Sequence, residues 1–270
     1  MTPRAAALGL AGALAAAPAG AAAESILLQS TTSTANSGLY EAILPVFQAA
    51  TGIEVRVVAV GTGQALRNAR NCDADVVLVH ARAAEDAFVA EGYGEARADV
   101  MYNDFLLVGP AEDPAAVASA RSAGEALAVI ADAEAPFASR GDDSGTHRKE
   151  LQLWAAAGVD PAPGSGDWYR ETGSGMGATL NIAAGMGAYA LTDRATWAAF
   201  GNRAGLAAAF EGDPALHNPY GVIAVGAARC PGVRAQAAAA FVDWITGPEG
   251  QAAIGAFAPG GERLFVPDAR

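Results

Sequence analysis

Ser139 to His147, SRGDDSGTH, packs one arginine, two aspartates, three hydroxyl residues and two glycines into nine positions. Two other loops share its character: Ser30-Thr31-Thr32-Ser33-Thr34 and Gly61-Thr62-Gly63. Each follows an apolar run and precedes a stretch with helical spacing. Glycine lets the backbone approach a ligand closely, and Ser or Thr adds a short O–H donor. The first turn of a helix adds unpaired backbone N–H groups and a partial positive charge. One such loop is more often an ordinary N-cap. Three converging on one cleft form a cage of donors for an anion. Arg140 brings the only full positive charge in these loops, and its planar fork suits a tetrahedral oxyanion. The adjacent acids, Asp142 and Asp143, read as caps of the helix start or as partners that orient Arg140.

Other reactive residues group less well. His147 reads as a first-turn helix residue, and His80 and His217 have no metal-ligand spacing with it or with each other. A hydrolase built on Ser144 and His147 would need a strained nucleophile elbow and a third acidic partner, and the sequence offers neither. No catalytic residue, cofactor or metal is expected. The segment GSGMGATLNIAAGMG (173–187) is a poor dinucleotide fingerprint, because no strand directly precedes it. It reads as a loop and helix start lining the cleft face of a second lobe.

These loops need strands and helices to position them. SILLQS (25–30), IEVRVVAV (53–60) and ADVVLVHA (74–81) read as strands, each followed by a helix. In the first helix Leu39, Ile43, Val46, Phe47 and Ala50 are expected on one face, with Gly52 closing it. Three such units imply a parallel sheet covered by helices. Ligands bind such sheets at the carboxyl ends of the strands, where all three loops emerge. A second series follows: strand NDFLLVGP (103–110), helix SAGEALAVIADA, short strand PFASRG, helix HRKELQLWAAAG with Leu151 and Trp154 inward, and strand AYALTDR (188–194). Two helices split at Gly247-Pro248 end the chain. The fold class is α/β, with two doubly wound lobes and a cleft between them. Lobe 1 is expected over 24–106 plus 219–270, and lobe 2 over 107–218.

Composition restricts the partners. The chain has 270 residues, 52% hydrophobic and 17% charged, with a net charge of -12. An acidic surface argues against nucleic acid and anionic membranes. Residues 1–23 read as a secretory signal peptide: Arg4, an apolar run from Ala5 to Ala17, and Ala21-Ala22-Ala23 as the cleavage site. Loss of Arg4 with this segment takes the charge from -12 to -13. The expected product is exported to the periplasm. Cys72 and Cys230 could pair there or stay as buried thiols; the sequence leaves both open.

The blocks TTSTANSGL, VGTGQAL, DADVVLVHA, VMYNDFLLVGP, SRGDDSGTH and GMGATL resemble, in order and spacing, the tungstate-binding periplasmic proteins of ABC importers. The resemblance runs from about Ser25 to Val225. It implies a type II periplasmic-binding-protein fold and a monomer that delivers tungstate to a membrane permease and its ATPase. By the same resemblance the anion contacts fall on Thr31, Thr32, Ser33, Thr62, Gly63, Ser139, Arg140, Ser144, Gly145 and Thr146. Ser30 stands where Thr is usual, Asn36 where Asp is usual and Cys72 where Gly is common, and none of these removes a donor. Phosphate binders share an Arg-x-x-x-Ser-Gly-Thr arrangement, so molybdate, sulfate and phosphate are the alternative ligands. Monohydrogen phosphate carries a proton that calls for an acceptor, whereas tungstate has no donor. Whether Asp142 or Asp143 faces the anion therefore separates these two.

Overall fold

The computed structural model describes residues 24–269; the expected signal peptide, 1–23, lies outside the described residues. β1 (Ser25–Thr31) runs between β2 (Glu54–Val60) and β3 (Val76–Val79), parallel to both. α1 (Thr32–Asn36) and α2 (Leu39–Thr51) follow β1, α3 (Thr62–Arg70) follows β2, and α4 (Arg82–Ala90) follows β3. α2 is bounded by Gly38 and Gly52, both in the left-handed region with φ near +83 and +75, where glycine escapes the Cβ penalty. Its inward face is Leu39, Tyr40, Ile43 and Phe47. Val46 and Ala50, expected on that face, are exposed, because a stripe of i, i+4, i+8 spacing leaves them on its flank.

β4 (Gly94–Pro110) is longer than the sequence suggested. Its missed first half carries charge that is hidden by pairing: buried Arg97 meets buried Glu85 at 2.6 Å. This half pairs antiparallel with β9 (His217–Val225), which itself lies antiparallel to β3. The sheet is therefore mixed where an all-parallel one was expected. Between Asp104 and Phe105 β4 changes partners, from β9 to β7 (Ala190–Asp193) and then β8 (Leu206–Phe210). One continuous strand thus joins two lobes.

α5 (Ala123–Asp132), β5 (Phe137–Ser139), α6 (Gly145–Ala156), β6 (Tyr169–Glu171), α7 (Met176–Met186) and α8 (Arg194–Ala199) belong to the second series. α9 (Ala235–Thr246) and α10 (Pro248–Ala256) return to the first lobe, and β10 (Val266–Pro267) closes its edge on β4. Phe47 packs edge-on against Phe241 of α9 at 5.2 Å in one core, and Phe137 against Trp154 at 5.2 Å in the other. On α6 the inward residues are Thr146, Glu150, Leu153 and Trp154. Leu151, expected inside, is 43% exposed, since that face follows i, i+4, i+7, i+8 from Thr146. Cys72 and Cys230 form a disulfide across 158 residues, tying the end of α3 to the segment after β9.

Candidate functional site

Three strand ends and three helix starts meet at one cavity. Thr31 caps α1, Gly61 caps α3 and Ser144 caps α6, and all three residues line one small cavity. Thr32, Ser33, Val60, Thr62, His80, Arg140, Gly145 and Thr146 complete its wall. Residues 31–33, 60–62 and 80 come from the first lobe, and 140 and 144–146 from the second. The space is far below the size usual for organic ligands.

The caps explain how the wall presents donors. Ser144 Oγ accepts from His147 N at 3.2 Å, so its own hydrogen is left to donate elsewhere. Thr31 Oγ1 is tied to Thr34 Oγ1 at 2.7 Å and Ser33 Oγ at 3.2 Å. The hydroxyls of Thr62 and Thr146 are buried and find no partner among the described residues. Buried polar atoms without partners are uncommon, and two on one cavity wall call for a hydrogen-bonding ligand. Gly145 lets the lobes approach: a Cβ there would sit 3.0 Å from both His80 Cε1 and Thr62 Oγ1.

Arg140 is 3% exposed. Its Nε donates to Ser174 O at 3.2 Å and its Nη2 pairs with Asp142. Among the described residues Nη1 has no hydrogen-bond acceptor. The glycine-rich segment before α7 thus holds Arg140 through Ser174, and none of its residues is on the wall of the small cavity. Asp142 also accepts from Ser144 N at 3.2 Å. Asp143 turns away to a two-pronged pair with Arg148 at 2.9 Å, and that pair holds its carboxyl below the usual carboxylate range. Neither acid lines the cavity, and no carboxylate does.

Eight of the ten site residues named from sequence are brought together here. Gly63 and Ser139 are not among the lining residues. Gly63 faces the other lobe, where a Cβ would lie 3.1 Å from Asp143 Oδ2 and 3.5 Å from Arg148 Nη2. Ser139 is the last residue of β5, and Arg140 is the first beyond it. Arg140 takes the cavity side, and the Ser139 hydroxyl lies against Glu150 and Tyr169 behind it. Glu150 is 1% exposed and accepts from Tyr169 OH at 2.7 Å and Trp154 Nε1 at 3.3 Å. Burial pushes its carboxyl up to about 7, against the pull of these hydrogen bonds. Glu150 thus lies buried behind the Arg140 loop, away from the cavity wall.

His80 was missed altogether. It sits just after β3, at the same carboxyl edge of the sheet as the other loops, and that position was the available signal. A larger open groove of about 580 Å³ adjoins the cavity at His80 and Gly145. Its two arginines are paired, Arg82 with Asp86 at 2.9 Å and Arg148 with Asp143, and Lys149 Nζ donates to His217 O at 3.3 Å. The small cavity, with its free donors, is the better anion site.

This geometry agrees with what the chain is similar to. The PBP superfamily domain matches residues 16–249. The tungstate-binding protein TupA of Peptoclostridium acidaminophilum is 47% identical over 249 residues, covering 91% of this chain and 86% of that one. The chain belongs to this family of periplasmic-type binding proteins. Its fold matches the solved structure of TupA from Desulfovibrio alaskensis with a TM-score of 0.79 and 45% identity, covering 92% of this chain and 100% of that one. The structure described as the tungstate ABC transporter from Geobacter sulfurreducens gives a TM-score of 0.78 and 50% identity, covering 85% and 97%. The type II binding-protein fold expected from sequence is the fold observed.

Proposed function

We propose that this chain is an exported solute-binding protein that captures tungstate as a dianion and passes it to the permease and ATPase of an ABC importer. The observation that carries the reading is the cavity itself: three helix starts, one arginine and two unpartnered threonine hydroxyls, with no carboxylate on the wall. The names of the relatives support tungstate as the cargo. The Cys72–Cys230 disulfide supports an oxidising compartment. Simple binding without turnover fits the Ser144–His147 pair, whose atoms serve the backbone: Ser144 Oγ accepts from His147 N, and His147 Nδ1 accepts from Asp143 N at 3.1 Å.

The wall also favours fully deprotonated oxyanions. Asp142 is committed to Arg140 and Ser144 N, and Asp143 to Arg148. A proton on monohydrogen phosphate would meet no carboxylate acceptor on the wall, only the His80 ring. Molybdate shares the shape and charge of tungstate and is the nearest competitor. Parallel calorimetric titration with tungstate, molybdate, sulfate and phosphate tests the proposal. Tight tungstate binding with phosphate weakest is expected; no heat with tungstate, or phosphate bound as tightly, would refute it.

A further inference from the structure

His80 has a role in the cavity that the family resemblance did not assign. Its imidazole is 7% exposed, and its Nδ1 lies 3.0 Å from Asn218 Oδ1. Asn218 Nδ2 donates to Asn103 Oδ1 at 2.7 Å and to Tyr220 OH at 3.3 Å. The amide oxygen of Asn218 is thereby turned to the ring, so Nδ1 carries the proton. Nε2 is the ring nitrogen left on the cavity side, where its nearest polar neighbour is Ser33 Oγ at 3.5 Å. In a neutral ring this nitrogen presents a lone pair to the space meant for a dianion, which is repulsive. An N–H in the same place would be a charge-assisted donor.

We propose that His80 is a ligand of the bound oxyanion through Nε2 and takes up one proton from solvent as the anion enters. The inference rests on the oxyanion reading above. The step balances simply: neutral His80, a proton and the dianion give an imidazolium–dianion pair, and no other bond changes. Burial holds the imidazole below its ordinary pKa, Asp193 and the Asn218 hydrogen bond pull it back up, and Arg140 pushes it down. A dianion adds two negative charges at hydrogen-bond distance, outweighing the single charge of Arg140 and favouring the imidazolium.

Other titratable groups around the ring have little freedom to respond. From β9, the Tyr220 ring lies tilted against it with centroids 4.7 Å apart and is held far above its ordinary pKa by burial, while His217 lies further out on the groove. From α4, Arg82 is paired with Asp86; from α6, Arg148 is paired with Asp143, and Lys149 Nζ donates to His217 O at 3.3 Å. From β4, Asp104 is paired with Arg194 at 2.6 Å. Asp193 caps α8 through Thr196 N at 2.9 Å. The one rival for proton uptake is Glu150, behind Arg140, with its carboxyl pushed up to about 7.

Calorimetry of tungstate binding near neutral pH, in two buffers of different ionisation enthalpy, reads the proton count directly. The native protein should take up close to one proton per tungstate, Glu150→Gln should do the same, and His80→Gln should take up almost none. In the native protein the affinity should fall by up to about tenfold per pH unit as pH rises between the free and bound pKa values of His80. The same trend should be absent in His80→Gln. The nitrogen NMR shift of Nε2 in the native protein, which needs no variant, should move from an unprotonated to an imidazolium value on adding tungstate. Tungstate binding without proton uptake, or uptake that survives His80→Gln, would overturn the role of His80 and leave the oxyanion reading standing. No binding of tungstate would overturn both.

Discussion

Replacing Arg140 by Ala should be the most damaging single change to anion binding. With His80 neutral in the free protein, Arg140 is the one formal charge on the wall. It is 3% exposed, so water does little to replace it. The substitution also strands Asp142, whose carboxylate keeps only the Ser144 N–H and now faces a dianion across the emptied space. Truncating one partner of a buried, hydrogen-bonded charge pair costs about 2–5 kcal/mol. At about 1.4 kcal/mol per decade, affinity should fall roughly 30-fold to several thousand-fold. Arg140→Lys should recover part, since an ammonium restores the charge but not the reach to both Ser174 O and Asp142. Removing Asp142 as well, in Arg140→Ala/Asp142→Ala, should recover a different part by deleting the stranded carboxylate. Calorimetric titration of all four proteins with tungstate separates these contributions. An Arg140→Ala protein that bound tungstate within about threefold of native would place the anion elsewhere.

The remaining expectations concern the wall, its support and the covalent tie. Thr62→Val and Thr146→Val should each weaken tungstate binding by about 1–3 kcal/mol while leaving the anion-free protein as stable or slightly more so, because each hydroxyl is buried without a partner among the described residues; titration plus thermal melting checks both signs. Glu150 holds its proton up to about pH 7 when folded and loses it at its ordinary lower pKa when unfolded. Its contribution is therefore present at low pH and lost as pH rises through about 7, by up to about 3 kcal/mol. Glu150→Gln should flatten this part of the stability–pH curve, measured by denaturant unfolding of native and variant side by side. Reducing the Cys72–Cys230 bond, which closes a loop of 158 residues, should lower stability by about 2–4 kcal/mol, and melting with and without reductant measures it.

How far the sequence reveals the site depends on how local the chemistry is. Thr31, Gly61 and Ser144 could be found because a helix cap is written in a few consecutive residues. The mixed sheet could not, because which strand lies beside β3 is decided by β9, more than 130 residues later. The first half of β4 was hidden for a related reason. Arg97 looks like a surface residue until Glu85 and Asp99 are seen beside it. Ser139 shows the limit within a single motif: it carries a hydroxyl, but that hydroxyl lies against Glu150 and Tyr169, while the next residue, Arg140, lines the cavity. His80 shows the opposite error. Its place at the end of a buried strand met the same rule that singled out the three loops, but attention to metal spacing passed over it.

A chain with a net charge of -12 has no long-range attraction for a dianion, so binding must be built at short range. The structure does this by dividing the donors between lobes. Thr62 on the first lobe and Thr146 on the second both lack partners among the described residues. Gly145 brings the two walls so close that a Cβ would touch His80 and Thr62 at 3.0 Å. Closing the lobes therefore buries polar groups that only a shared ligand can satisfy, and each such group costs about 1–3 kcal/mol if left alone. An anion that engages both walls removes this cost and so binds the closed arrangement better than the open one, which is what shifts the equilibrium. One that carries its own proton removes less of it, having one fewer oxygen to accept. Selectivity and closure then share one origin: the same unpartnered hydroxyls that reject the wrong ion hold the lobes together around the right one.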